Sequence, residues 1–351
     1  MLGFKKTMRI QSPFKLRWTW PLLAAVFVAG TLYYRQKSEV LVSEKKGLAD
    51  SLALMQGKIE RIKLSNEAYV MKDVIGELKR EIEERGDTSM SLATIDRVAA
   101  MSIQMSPYPV NNDSGQHGLL SPERAELLTG LLGLGLKVET LDTLFDKASF
   151  AMADLRGYKL SGSYLAGVDL SSADLTGVDL SGADLTGANL VEATMTTCNL
   201  KEANLKKANL SRAELSYADL TEAKLMDTDF NGAVLHAAQL KGQDLRKVDI
   251  RWSTMSHAFL NGADLRDLYI QGVDLSFANL SGANFQDARW KKSNFTSAII
   301  EGAILDKVTS VEDLPSQMKA WNPVGWDELS KRYAIEPQGE RNTDFIIRAV
   351  D

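Results

Sequence analysis

The sequence predicts an all-β solenoid in the middle of the chain, on three observations. From Ala151 to Leu305 the chain divides into 31 consecutive five-residue units with no insertion. The fifth residue of every unit is apolar, most often Leu. The third residue is small, usually Ala, in 28 units, and the exceptions are Tyr158, Gln243 and Leu268.

A period of five fits neither an α-helix nor a flat strand. On a helix, five steps advance each Leu by roughly 140°, so no apolar stripe forms. On a flat strand, an odd spacing would send successive Leu residues to opposite faces. A chain that turns a corner once per unit buries all of them. Four corners close a square coil of 20 residues, which predicts about eight coils stacked over roughly 37 Å.

Units such as SGADL, NGADL, SFANL and SGANF resemble the pentapeptide-repeat family, whose consensus is A(D/N)LXX. The resemblance covers residues 151–305 and implies a right-handed quadrilateral β-helix. It implies little about function, because one fold serves many functions.

The N-terminal region predicts a membrane anchor. Residues 1–17 carry five basic residues and no acidic one, and residues 18–34 follow without a charge. At 1.5 Å per residue this apolar segment would reach roughly 25 Å, the short end for a bilayer span. Aromatic residues at both ends match the belts at membrane interfaces, namely Trp18 and Trp20 against Tyr33 and Tyr34.

Two alternatives to an uncleaved signal anchor stay open. One is a signal peptide cleaved near Val28-Ala29-Gly30, and the other is a buried soluble helix. Positive charge is denser before the apolar segment than after it, which predicts an N-terminus in the cytoplasm and export of the rest. In a Gram-negative cell the solenoid would then lie in the periplasm.

Residues 36–86 predict a long amphipathic helix. Apolar residues from Leu41 to Ile82 follow a spacing of three and four, with one shift of phase, which is typical of a coiled coil. Residues 37–85 are therefore the candidate for homo-oligomerisation. A helix folded back on its own chain gives the same pattern and stays open as the alternative.

The segments next to the solenoid predict helical caps, because a solenoid leaves an open strand edge and apolar core at each end. Residues 87–118 predict a short helix around Leu92 to Met105, and a loop from Ser106 to Gly118 that includes His117. Ser121-Pro122-Glu123 is a helix start within residues 119–150, the predicted N-terminal cap.

The C-terminal part is predicted to leave the repeat immediately after Leu305. Residues 306–351 predict a helical cap with two short helices, Val311 to Trp321 and Trp326 to Tyr333, followed by a tail. Trp321 and Trp326 are expected to pack over the last coil.

No catalytic, cofactor or metal site is predicted. The sequence holds no phosphate-binding glycine loop, HExxH motif, paired cysteines or nucleophile elbow, and its net charge of -5 excludes a generally basic nucleic-acid binder. Cys198 occupies a third position, which predicts a packed thiol. The many fourth-position Asp residues are expected to bond nearby backbone at the corners, and the second-position Gly residues to ease the turns.

The resemblance also raises DNA mimicry, by which some pentapeptide-repeat proteins bind gyrase. That mechanism needs a strongly negative solenoid in the cytoplasm. Residues 151–305 hold 15 Lys and Arg against 19 Asp and Glu, and the acidic residues are concentrated early. A cytoplasmic inhibitor of a nucleic-acid enzyme such as DNA gyrase is therefore the alternative function.

The first hypothesis is a non-enzymatic, membrane-anchored scaffold of a bacterial envelope. Its candidate partner-binding residues are outward-facing aromatic side chains, because exposed aromatics on a rigid surface are frequent hot spots. They are Tyr217, Trp252, His257, Phe259, Tyr269 and Phe277. Packing beneath a cap, the coiled coil or an irregular coil would explain them equally well.

The predicted order of segments is a basic cytoplasmic N-terminus (1–17), anchor (18–34), amphipathic helix (36–86), helix and linker (87–118), cap (119–150), β-helix (151–305), and cap with tail (306–351).

Overall fold

The computed structural model describes residues 73–111, 117–310, 314–338 and 344–349. In the central block, successive coils pair in parallel with a register of 20 residues, from Asp154 with Asp174 to Asn284 with Ile304. Every fifth-position side chain from Leu155 to Leu305 is buried. The register and the inward fifth positions confirm the predicted square coil.

Most corners of the coil are β-turns. The amide of a third-position residue donates to the fifth-position carbonyl of the unit before, as Ala173 does to Leu170 at 3.1 Å. The second-position residue has a left-handed backbone, with φ of +55° at Ser172 and +67° at Gly177. Turns of this kind favour Gly at that position, which accounts for the recurrent Gly.

The fourth-position carboxylates bond the corner that follows them. Asp179 Oδ1 accepts a hydrogen bond from the Ser181 amide at 3.1 Å, and Asp174 Oδ1 accepts one from the Thr176 amide at 3.0 Å. Asn199 on the next coil donates its side-chain amide to Asp179 at 2.9 Å. These bonds give the Asp residues the structural role that the sequence predicts.

Among residues 73–150, as far as the structure describes them, four helices and a hairpin precede the solenoid. The Ser121 hydroxyl accepts from the Arg124 amide and Pro122 opens the helix, as predicted. Ser121 also pairs with Ala153, so the cap bonds the first coil directly. The elements are α1 (helical residues 73–85), α2 (Leu92–Gln104), β1 (Tyr108–Asn111), β2 (His117–Leu120), α3 (Pro122–Leu132) and α4 (Val138–Phe145).

The predicted loop from Ser106 to Gly118 is in part wrong. Strands β1 and β2 pair antiparallel at its two ends, and His117 lies in β2 opposite Asn111. Pro109 discourages a strand prediction, but both strands of a two-stranded hairpin are edges, where a missing N–H is tolerated.

Helix α1 packs against the N-terminal cap of its own chain. Leu78 of this helix is buried in the core of the cap. A Cβ atom at Gly130 would lie 2.7 Å from Ile75 Cδ1, so α1 packs tightly on α3. For residues 73–85 these contacts match the fold-back alternative, and the coiled coil is not confirmed there. Residues 36–72 lie outside the described residues, as do residues 1–17 and the predicted anchor at 18–34. Among the residues that the structure describes, no helix is both long enough and apolar enough to cross a bilayer.

The C-terminal cap is not purely helical. Two helices are present, but the second ends at Leu329, and Tyr333, predicted to end it, begins a strand instead. A hairpin of β6 and β7 extends one wall of the solenoid in the strand order β3-β4-β5-β7-β6. The β3–β4 and β4–β5 pairs are parallel, whereas β7 pairs antiparallel with β5 and β6. The elements are β3 (Tyr269–Gln271), β4 (Arg289–Lys291), β5 (Thr309–Ser310), α5 (Leu314–Trp321), α6 (Trp326–Leu329), β6 (Tyr333–Gln338) and β7 (Asp344–Ala349).

The prediction that the repeat ends at Leu305 is also wrong. Residues 306–310 make one more unit, in which Val308 is buried at the third position and Ser310 at the fifth. Because the fifth residue of this unit is polar, the unit does not fit the apolar pattern by which the repeats are recognised in the sequence. Beyond it, the Trp321 ring lies 5.1 Å from Phe295 and 6.4 Å from Trp290, which confirms its place over the last coils.

Candidate protein-binding site

Three of the predicted aromatic residues share one corner of the solenoid. Tyr217, His257 and Phe277 are second-position residues separated by multiples of 20, so the register brings them to the same corner. Their φ angles are +61°, +59° and +58°. The left-handed turn directs each side chain away from the core, and all three are exposed.

A fourth ring joins these three into a continuous column. His236 lies between Tyr217 and His257, at 5.4 and 5.2 Å between ring centroids. His257 and Phe277 stack at 4.9 Å with 8° between their planes. His236 Nδ1 lies 2.9 Å from Ser256 Oγ on the next coil, which orients the imidazole. We call Tyr217, His236, His257 and Phe277 the aromatic column.

The sequence marks His236 as outward-facing but not as a member of the column. It is a first-position residue, whereas the register alone would place Ala237 between Tyr217 and His257. Because Ala237 is too short to contact either ring, the His236 side chain beside it occupies the gap. A large residue next to a small one at a repeat corner is therefore the signal for such a contact.

Phe259 extends the aromatic surface onto the adjoining wall. It is a fourth-position residue that pairs with Gln239 on one coil and Asn279 on the next. Its side chain is 41% exposed, against 58% for Tyr217 and 51% for Phe277. No part of the described chain covers these three side chains, so packing beneath a cap does not account for them.

Trp252 lies at a different corner, and Tyr269 lies in β3 on the wall that leads into that corner. The indole of Trp252 lies over Gly272, where an added Cβ atom would meet Trp252 Cε3 at 2.1 Å. Gly272 is thus the residue that lets the ring lie flat against the corner. Trp252 and Tyr269 remain 50% and 40% exposed, so both rings are available to a partner.

Three arginine residues in this half of the solenoid form ion pairs with aspartate residues. Arg246, Arg251 and Arg266 each fold back onto the Asp two residues earlier. In each pair the hydrogen bonds from the guanidinium lower the pKa of the carboxyl and raise the pKa of the Arg. These carboxylates are held ionised by their partners, which is unlike the proton-sharing groups of an acid-base site.

Cys198 is buried, and its thiol donates to the Val178 carbonyl at 3.1 Å. Burial raises the pKa of this thiol to about 12. A thiol that stays protonated at neutral pH is a poor nucleophile, so the prediction of a packed residue is confirmed.

A family model described as Pentapeptide repeats matches the solenoid in 8 copies, at residues 153–190, 163–201, 193–232, 233–267, 244–276 and 274–309. Curated proteins give no match to this chain.

Solved pentapeptide-repeat structures are similar to this chain over the solenoid. One is HetL, a protein involved in heterocyst differentiation regulation from the cyanobacterium Nostoc sp. Strain PCC 7120. It is 33% identical over 46% of this chain and 82% of that chain, with a TM-score of 0.22. Another is full-length QnrB1, a plasmid-mediated fluoroquinolone resistance protein. It is 20% identical over 42% of this chain and 81% of that chain, with a TM-score of 0.22.

Proposed function

Because this chain belongs to the pentapeptide-repeat family, whose members fold as right-handed quadrilateral β-helices, we propose that it is a non-enzymatic scaffold. Its solenoid presents the aromatic column to a protein partner. The observation that carries the proposal is the set of four contacting rings, with Tyr217 and Phe277 more than half exposed. Aromatic residues on a rigid surface bury large area at little cost in conformational entropy.

The position of the column on the fold supports this function. Its residues occur on successive coils whose backbones are hydrogen-bonded to one another, as in Tyr217 N to His236 O at 2.8 Å and His257 N to Ser276 O at 2.9 Å. Little reorganisation is therefore needed to bind, which favours affinity.

We further propose that residues 18–34 anchor the chain in the inner membrane with a single pass. The basic residues at 1–17 favour an N-terminus in the cytoplasm, so the solenoid would lie in the periplasm. Residues 36–72 retain the apolar spacing of a coiled coil and are the proposed site of homo-oligomerisation.

Capture of partners from cells tests the scaffold function. The tagged full chain is compared with a Tyr217→Ala, Phe277→Ala double variant and with Thr197→Ala. Thr197 is a matched control because it is an exposed second-position residue of the same corner, with φ +57°. We expect the double variant to lose a protein that the wild type and the control both retain. The same captured proteins with all three chains would contradict the proposal.

The second candidate is a cytoplasmic DNA mimic that inhibits an enzyme such as gyrase. The observation in its favour is an acidic stretch with Asp169, Asp174, Asp179 and Asp184, in which residues 161–200 hold no Lys or Arg. A reporter active only after export, fused after residue 120, separates the two functions. Activity of the reporter supports the envelope scaffold, and an inactive reporter on a stable fusion supports the cytoplasmic inhibitor.

A further inference from the structure

One wall of the solenoid is interrupted between the coil of Lys224 and the coil of Asp244. Before this point the wall is regular, as in Leu205 N to Lys224 O at 2.9 Å, and it is regular again in Leu245 N to Asp264 O at 2.9 Å. Among the described residues the intervening wall bonds that the register calls for are missing. They would join Glu222 N to Lys241 O, Leu225 N to Asp244 O, and Asp244 N to Ala223 O.

Gln243 causes the interruption. It occupies a third position, where the repeat calls for a small residue, and its buried side chain donates to the Leu220 carbonyl at 2.7 Å. Thr228 makes the equivalent bond to Leu205 at 2.8 Å, yet Asp229 beside it pairs normally on both sides. Because Thr228 is also polar and leaves its wall intact, the length of the Gln243 side chain is the feature that accompanies the missing wall bonds.

Leu268 supports the same cause independently. It is another large third-position residue, and Asp249 and Tyr269 on its wall do not pair, although both lie within the described residues. The two interruptions fall on adjacent walls at one corner. A cleft of about 660 Å³ lies there, and its lining includes Lys206, Lys224, Gln243, Arg246, Lys247 and Asp267. We call it the wall cleft.

The wall cleft is cationic. Arg246 is bound to Asp244 at 2.7 Å and lies 3.4 Å from Asp264, so these charges are largely neutralised by one another. Three lysines of the lining form no ion pair with any described residue, namely Lys206, Lys224 and Lys247. The lining holds one further carboxylate, Asp267, so the positive charges outnumber the remaining negative charge. The exposed side chain of Met226 adds an apolar surface.

We propose that the wall cleft binds an extended acidic peptide segment of a partner protein. The N–H and C=O groups left without wall partners offer the main-chain bonds of an open strand edge, which an extended peptide uses for β-augmentation. The three lysines select acidic side chains on that peptide by charge complementarity. This site goes beyond the proposed function and does not require the aromatic column.

Fluorescence anisotropy with the full chain in detergent tests the site. The probe is a labelled short peptide of alternating Glu and Val, compared with the matching Lys and Val peptide. A third peptide has the acidic sequence with alternate amides N-methylated. We expect the first probe to bind, the basic peptide not to bind, and the methylated peptide to bind about tenfold more weakly because its edge bonds are blocked. Equal binding of the methylated probe would overturn the proposal in favour of unspecific attraction of anions.

Substitutions in this chain test whether the peptide binds at the wall cleft. Lys224→Ala with Lys247→Ala should weaken binding about five- to tenfold, whereas Lys159→Ala with Lys291→Ala, on other parts of the solenoid, should leave it unchanged. Gln243→Ala should close the wall cleft and abolish binding. Unchanged affinity in the first double variant, or in a folded Gln243→Ala chain, would overturn the proposal. Tyr217→Ala with Phe277→Ala should still bind the probe, so failure of the scaffold function is distinguishable from failure of this site.

Discussion

The imidazole of His257 lies parallel to the phenyl ring of Phe277, with 4.9 Å between centroids and 8° between planes. Both residues have a left-handed backbone, which a non-Gly residue adopts at a cost of roughly 1 to 2 kcal/mol. Other second-position residues accept the same strain, so the conformation belongs to the repeat. The aromatic side chains are what distinguish this corner.

Because of this backbone strain, two substitutions of Phe277 should have the same effect on partner binding but different effects on stability. Phe277→Gly and Phe277→Ala both remove the stacked ring, so both should lose the captured partner. Gly adopts φ +58° without the steric cost that Ala carries. We expect Phe277→Gly to be more stable than Phe277→Ala by about 0.5 to 1 kcal/mol in urea unfolding. The reverse order of stability would show that the turn geometry is wrong.

The buried thiol predicts a pH dependence of stability. The pKa of Cys198 is raised to about 12 in the folded chain, while the pKa of an unfolded thiol is about 8.5. Between these values the unfolded chain loses the proton and the folded chain keeps it, so the free energy of unfolding falls as pH rises. The slope from this group is at most about 1.4 kcal/mol per pH unit.

Cys198→Ala isolates this slope, because Ala is the usual residue at a third position. We expect the difference in urea midpoint between wild type and Cys198→Ala to change from pH 8 to pH 11 in favour of the variant. A difference that stays constant across this range would mean that the thiol is accessible to solvent.

Gln243→Ala should repair the wall. The change removes one side-chain hydrogen bond, worth about 1 kcal/mol, and lets the neighbouring coils approach. Hydrogen exchange measured by mass spectrometry should then slow in peptides that contain the amides of Glu222, Leu225 and Asp244. Gln239→Ala, at an outward wall position nearby, is the control and should leave those rates unchanged. Faster exchange in Gln243→Ala would indicate that Gln243 holds the wall together and does not open it.

The C-terminal cap predicts a change in association. Trp321 covers Trp290 and Phe295 at the end of the solenoid. Trp321→Ala should cost about 3 to 5 kcal/mol in the cap and expose apolar core and strand edge. Light scattering should then detect larger assemblies than for the wild type. Unchanged mass at equal concentration would argue that β6 and β7 protect the end without Trp321.

The regular part of the fold was predictable because one rule repeats. A period of five with an apolar fifth residue and a small third residue leaves only a square coil, and the 20-residue register then places His257 beside Phe277. The sequence also identifies Gln243 and Leu268 as exceptions. Their effect on the wall could not be predicted, because it depends on whether a long side chain displaces the coil or turns outward.

The ends of the solenoid were harder to predict. Ser310 hides the last unit because it is polar, and the packing of Leu78 on its own chain follows the same apolar spacing as a coiled coil. Strands β6 and β7 are recruited by the open edge of β5, a tertiary cause that local sequence does not carry. His236 joins the aromatic column only because its neighbour Ala237 is small.

Site-specific photo-crosslinking in intact cells tests the proposed scaffold most directly. A photoreactive amino acid is placed at position 277 in one chain and at position 197 in another, since both are exposed second positions of one corner. We expect a discrete crosslinked protein from position 277 and none from position 197. The same products from both positions, or none from position 277 in a chain that is expressed and folded, would contradict a partner site at the aromatic column.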